Sequence, residues 1–392
     1  MIPIVLIVFR VPSRPRERII DRGCRQISPD ALASCPFEVY ARPTLGGILQ
    51  MAGDSLRRLL QLDRPSVATS GDRPVFVYAW DRPGKGGFQP IACRGITGYL
   101  FVLQADRNDL QALLDRCLNV PAGGKVRYVA LSDLVLLTFD RTQKLLPTTP
   151  RFRSLGWTPE TEASIWIVAG RTKPGPSGTQ ILERMVFYVP YIFVEEWPAI
   201  WGGRAVYGFP KELAWLEIPQ GPPVTSQLAA DVVGTEKFAV DAEWTRLRLL
   251  EVNPTSASGH PVMLDLDTII GVLRNVVQQA IVPGLGLVKE LFDEVEKHEF
   301  PLVFLQQVVD GADGTFAAYQ AIIEAPLRID TVREIRVLSQ PFQLTIHTLD
   351  SHPLAQVLGL QSPQTVRRAY WVDLDFDIEN ATTVCESCWT GL

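Results

Sequence analysis

From Ile91 onward, runs of strand length rich in β-branched and aromatic residues recur with few helical intervals between them. Gly95–Leu103, Val126–Ala130, Leu134–Phe139, Ala163–Val168 and Met185–Val194 all read as strands. A second set covers Gln227–Val233, Arg246–Val252, Leu302–Val309, Thr315–Ile323, Phe342–Thr348 and Ala369–Asp377. One amphipathic helix, Ala105–Leu118, interrupts the first set. Asp106 is its candidate N-cap, and Leu110, Leu113, Leu114, Cys117 and Leu118 form its apolar stripe. Two further helical patterns follow at Leu266–Ala280 and Leu287–Glu296. Strands that do not alternate with helices exclude a doubly wound parallel sheet, so the expected class is α+β and strand-rich.

No internal repeat or strong linker divides the chain after residue 90. Residues 1–89 differ: arginine and proline are frequent, and periodicity is weak apart from a short helix at Ser55–Leu62 and a strand at Val75–Trp80. The expected organisation is a loosely ordered N-terminal extension over 1–89 and one domain over 90–392. A hydrophobic content of 46% and a charged content of 21% are those of an ordinary globular protein. The net charge of −5 argues against a nucleic-acid partner. The apolar run Ile2–Phe9 is too short to span a bilayer and has its arginines after it, unlike a signal peptide, so the expectation is no membrane partner and a cytoplasmic location. Cys385 and Cys388 form a C-x-x-C, read here as free thiols because no second pair and no paired histidines accompany it. Lys85 in RPGKGG lacks the spacing of a phosphate loop.

Chemistry concentrates in Pro198–Leu213, PAIWGGRAVYGFPKEL. The chain holds eight lysines against thirty arginines, and Lys211 alone among the lysines stands between aromatic residues: Trp201, Tyr207, Phe209 and Trp215. Desolvation disfavours an ammonium ion, so such a lysine is expected to have a lowered pKa and a nucleophilic amine. The alternative is a lysine whose stem packs on aromatics while its amine reaches water.

The segment resembles one carried by acetoacetate decarboxylase and its relatives. Pro198, Ala199, Ile200, Gly203, Arg204, Phe209, Pro210, Lys211 and Leu213 match without a gap. Weaker similarity runs from about Pro90 to Asp377, including Phe304–Gln307 and Ala317–Pro326. The resemblance implies an antiparallel β-cone or barrel around the active site, a homo-oligomer, and a lysine that forms a Schiff base with a small keto-acid substrate without a metal or organic cofactor. It implies a carbon–carbon lyase that decarboxylates a β-keto acid, with a pyruvate-using aldolase-dehydratase or a non-catalytic keto-acid-binding protein as alternatives. By the same resemblance Lys211 is the nucleophile, Glu160 the proton-handling carboxylate with Glu162 in reserve, and Arg94, placed with a two-residue shift, the substrate anchor. Arg204 is a second candidate anchor or a structural arginine, and Trp201, Tyr207 and Phe209 are candidate pocket walls. Glu212 stands where the family's decarboxylases have a second lysine. On an extended strand Lys211 and Glu212 would face opposite sides, leaving desolvation to activate the amine.

Overall fold

The computed structural model describes residues 69–70, 73–74, 89–175, 179–222, 224, 226–256, 262–263 and 299–386. The leader, the helix at Ser55–Leu62, the strand at Val75–Trp80, the helices at Leu266–Ala280 and Leu287–Glu296, and Cys388 lie outside them. Contacts divide the chain into two units, 1–79 and 80–392. In the first, the described residues form one small antiparallel ladder, β1 (Thr69–Ser70) with β2 (Arg73–Pro74).

The second unit is built on long strands. β3 (Ile91–Gln104) is followed by α1 (Arg107–Leu114), a π-helical turn at Asp115–Asn119, and α2 (Val120–Ala122). Asp106 caps α1, its carboxylate accepting from the Asn108 and Asp109 backbone N–H groups. Leu110, Leu113 and Leu114 are buried, as their spacing requires. The two short strands expected at 126–139 are one strand, β4 (Arg127–Pro147). The polar Ser132–Asp133 pair reads as a break in sequence but is accommodated by a register shift between Ala130 and Val135. β5 (Thr158–Pro174) and β6 (Gln180–Val194) continue the antiparallel run.

After β6 come α3 (Trp197–Gly202), a π-helical turn at Gly203–Tyr207, and β7 (Lys211–Glu217), which pairs parallel to β6. The remaining strands are β8 (Leu228–Gly234), β9 (Thr245–Pro254), β10 (Val262–Met263), β11 (Glu299–Val309), β12 (Ala317–Leu338) and β13 (Phe342–Ile346). Helix α4 (Leu354–Leu358) precedes β14 (Gln364–Thr365), β15 (Arg368–Ile378) and β16 (Thr382–Glu386). The sheet order is β10-β12-β15-β3-β4-β5-β6-β7-β8-β9-β13-β14, with β16 on β12. β11 pairs with both β12 and β6, which closes a circuit of seven paired strands. Apart from the parallel β6–β7 and β6–β11 contacts, every pairing among the described residues is antiparallel, and the α+β, strand-rich class holds.

Two apolar clusters use opposite sides of these strands, as their period of two dictates. Phe101, Leu137, Phe139 and Ile165 pack with α1 in one cluster. Val189, Ile192, Tyr207, Phe209, Phe304 and Ile378 belong to the other, which surrounds a cavity. Among the described residues no helix is long and apolar enough to cross a membrane.

Candidate active site

The cavity has a volume of about 350 Å³ and is walled mainly by hydrocarbon and aromatic side chains. Leu155 and Trp157, both exposed, belong to its lining, and Leu302, Phe304, Leu327 and Ile378 supply part of its wall. Its charged lining, among the described residues, is Lys211, Glu160 and Glu162.

Lys211 is the first residue of β7 and only 5% exposed. Three local features put it there. Gly208, at φ +69°, ends the π-helical turn in the left-handed region and lies against the Gln306 backbone, where a Cβ would come within 2.6 Å. The Lys211 N–H donates to the Phe209 carbonyl at 2.7 Å, and the Arg204 guanidinium donates to the Lys211 carbonyl at 2.9 Å. Gly203 lies so close to the lysine stem that a Cβ there would stand 2.8 Å from Cδ. Tyr207, Phe209 and Phe304 form an aromatic panel beside the stem, with ring centroids 5.0 and 4.3 Å apart.

The amine meets two carboxylates from β5. Its Nζ donates to Glu160 Oε1 and lies 3.5 Å from Glu162 Oε2. These glutamates share one side of the strand because they are two residues apart. Across the β4–β5 ladder, Asp140 is the register partner of Glu162 and Thr142 of Glu160, so Asp140 joins the same side. A hydroxyl chain extends from there: Ser164 Oγ donates to Glu162 at 3.2 Å, meets Thr138 Oγ at 2.7 Å, and accepts from Trp166 Nε1 at 2.8 Å.

These neighbours reverse the expected state of Lys211. Burial pulls its pKa down, but the charges of Glu160 and Glu162 push it up more strongly, so the net direction is upward. The resting group is an ammonium ion in a buried ion pair, not the free amine expected from its aromatic sequence neighbours. Glu162 is pushed to about 7, chiefly by burial, with Lys211 pulling down and Glu160 pushing up. Asp140 is raised well above the usual carboxylate range by burial and by Glu162 and Glu160. Cys93, also in the lining, has its thiol pushed up by burial first and then by Glu160.

Of the remaining sequence candidates, Tyr207 and Phe209 line the cavity, while Trp201 and Arg204 line a separate surface groove with Trp197 and Leu213. Arg94 does not reach the cavity. Its neighbour Cys93 does, and strand alternation turns Arg94 to the other side, where it binds Asp377 at 2.7 Å and the Phe376 carbonyl at 3.0 Å. Glu212 likewise faces away from Lys211 and meets His352 Nε2 at 2.9 Å. Asp140 was not legible as a site residue, because only the cross-strand register brings it to Glu162.

Fold and site together define a strand-rich protein with a buried lysine–carboxylate cluster in an apolar cavity. No family model and no curated protein matches the chain. Solved structures of similar fold include the acetoacetate decarboxylase of Legionella pneumophila, at 14% identity and a TM-score of 0.49, covering 79% of this chain and 94% of that one. An acetoacetate decarboxylase-like enzyme from Sphingomonas wittichii is similar at 13% identity and a TM-score of 0.45, covering 76% of this chain and 94% of that one. The enduracididine biosynthesis enzyme MppR, complexed with pyruvate, is similar at 11% identity and a TM-score of 0.44, covering 76% of this chain and 91% of that one.

Proposed function

We propose that this protein is a carbon–carbon lyase that forms a Schiff base between Lys211 and a ketone, and that it decarboxylates a β-keto acid. The observation that carries this reading is the pairing of a 5% exposed lysine with Glu160 at an apolar cavity. A structural lysine could satisfy its charge at the surface; this one lies where a ligand carbonyl can meet it.

In the proposed reaction a ligand that excludes water disfavours the separated charges, and the ammonium proton passes to Glu160 along their hydrogen bond. The neutral amine adds to the ketone carbon, and the carbinolamine loses water to give an iminium. Glu162, with its carboxyl near 7, supplies the proton that the leaving hydroxyl takes. The iminium accepts the electron pair of the breaking carbon–carbon bond as carbon dioxide departs. The resulting enamine is protonated on carbon, and water releases the ketone and restores Lys211. Among the described residues the lining holds no arginine for the departing carboxylate. Its charge therefore sits beside hydrocarbon and Glu162 until it disperses into carbon dioxide, which favours the step.

The same missing anchor supports a second reading, aldol chemistry with an uncharged partner, because the enamine can attack an aldehyde as readily as a proton. Pyruvate consumption with an aldehyde, in place of carbon dioxide release, would select it. Borohydride reduction in the presence of a labelled β-diketone should add the expected mass to the Lys211 peptide. Lys211→Ala and Lys211→Arg should give no adduct, since a guanidinium stays protonated. A normal adduct on Lys211→Ala overturns the reading, and binding of keto acids without trapping would leave a non-catalytic binding protein.

A further inference from the structure

We propose that the substrate is a β-keto acid whose keto side carries an uncharged hydrocarbon tail, a medium-length alkyl chain or an aryl ring, seated against Val189, Ile192, Leu302, Phe304, Leu327 and Ile378. This rests on the Schiff-base reading above and adds the class of ligand.

Charge and polarity lie at one place in the cavity. Lys211, Glu160 and Glu162 cluster together, and the six residues just named present only carbon. The polar groups of Tyr207 and Trp166 in the lining are already engaged. Tyr207 Oη donates toward the Glu379 carbonyl at 3.2 Å and lies 3.4 Å from that of Ile378. Trp166 Nε1 donates to Ser164, and the Cys93 thiol is held neutral by burial. A hydroxyl or a second carboxylate on the tail would therefore be buried with no partner, which costs far more than an apolar group gains. The two arginines that the sequence offered as anchors do not supply one: Arg94 is bound to Asp377, and Arg204 binds the Lys211 carbonyl beside the separate groove.

Size points the same way. At liquid-water packing of ~30 Å³ per molecule, the 350 Å³ cavity holds about a dozen non-hydrogen atoms. Acetoacetate would fill little more than half of that and leave part of the apolar wall uncovered. A 3-oxooctanoate or benzoylacetate would cover it. The wall is also rigid: the Phe209 and Phe304 rings are in contact with each other and the residues behind them are buried, so it cannot collapse onto a small ligand.

The test is carbon dioxide release, above the uncatalysed rate, from acetoacetate, 3-oxohexanoate, 3-oxooctanoate, benzoylacetate and 3-oxoglutarate, with borohydride trapping measured for each. Each methylene buried against the wall should raise kcat/KM about fourfold, so 3-oxooctanoate should exceed acetoacetate by about two orders of magnitude. The dicarboxylic 3-oxoglutarate should be turned over no faster than acetoacetate. Val189→Phe, which fills the wall, should lower the ratio of 3-oxooctanoate to acetoacetate at least tenfold. A flat or falling series with trapping intact, or a ratio unmoved in a folded Val189→Phe, overturns the tail and leaves the Schiff base standing. Absence of any adduct across the series overturns the Schiff-base reading itself. If the variant does not fold, the chain-length series on the unaltered protein decides the matter.

Discussion

Gly203→Ala adds one methyl group to the wall of the lysine's channel. Gly203 sits at φ −61° and ψ −47°, so alanine is free to adopt its backbone and no conformational strain enters. The added Cβ would stand 2.8 Å from Lys211 Cδ, 2.9 Å from Cε and 3.3 Å from a Phe209 ring carbon. Carbon atoms pack at about 3.5–4.0 Å, so the stem must move by about 0.7 Å or more. It cannot move freely, because Glu160 and Glu162 hold the amine from the β5 side. Overpacking of this kind costs about 1–3 kcal/mol, offset in part by the ~0.5–1 kcal/mol preference of a helical position for alanine over glycine. The net loss of stability should be about 2.5 kcal/mol at most, while an amine displaced by about 1 Å should react roughly a hundredfold more slowly. The assay is the rate of borohydride-trapped adduct formation well below the Tm, with thermal unfolding measured alongside. Gly311→Ala is the control, since nothing lies within 4 Å of a Cβ there and both readouts should stay unchanged. A trapping rate in Gly203→Ala within twofold of the parent would refute the claim that this glycine sets the position of the lysine.

Two further outcomes separate structural from chemical roles. The Glu162 carboxyl is raised from 4.5 to about 7, chiefly by burial, so the folded protein holds a proton that the unfolded chain has released. Its contribution therefore makes stability fall as pH rises from about 4.5 to about 7 and then level off, by no more than about 3 kcal/mol. Glu162→Gln should flatten that limb of a Tm–pH profile, and a variant curve parallel to the parent would sink the assignment. Arg94→Ala should lower the Tm through loss of the Asp377 ion pair and the Phe376 bond, about 1–2 kcal/mol for a half-buried group, with trapping unchanged. A tenfold loss of trapping at unaltered stability would return Arg94 to the substrate.

Much of the framework was legible because it depends on local pattern. The apolar alternation of β4 to β6 and the Asp106 cap of α1 depend on neighbours in the chain, and the structure puts strands and cap where the pattern does. What failed was what depends on register. Ser132–Asp133 looks like a turn, yet a bulged ladder carries one strand through it. Arg94 is one residue from a cavity-lining position, and one residue in a strand is the difference between two sides of a sheet. Trp201 and Phe209 flank the same motif, but the helical stretch between them sends one to the outer groove and the other to the cavity. The state of Lys211 was misread for the same reason. Its sequence neighbours are aromatic, whereas the carboxylate that decides its charge is 51 residues away and arrives through β5.

The upward shift of Lys211 and the apolar wall belong to one device. Glu160 and Glu162 meet a single cation with Asp140 beside Glu162, and burial and mutual repulsion raise the Glu162 and Asp140 carboxyls, which favours less negative charge in the cluster. In the proposed reaction, water that enters the cavity before the ligand would help to support the remaining ion pair. An apolar tail that fills the cavity removes that support, and a neutral amine beside a neutral carboxylic acid then costs less than the separated charges. In the proposed reaction the nucleophile is thus released by the body of the right ligand and stays protonated toward small polar ketones. Selectivity for the tail should then appear in the rate of Schiff-base formation as well as in binding. Saturating acetoacetate should trap more slowly than saturating 3-oxooctanoate, and the difference should shrink in Glu160→Gln, where only the looser pairing with Glu162 at 3.5 Å has to be neutralised. Equal saturated trapping rates in the parent protein would leave the tail as an affinity element alone and separate it from the activation of Lys211.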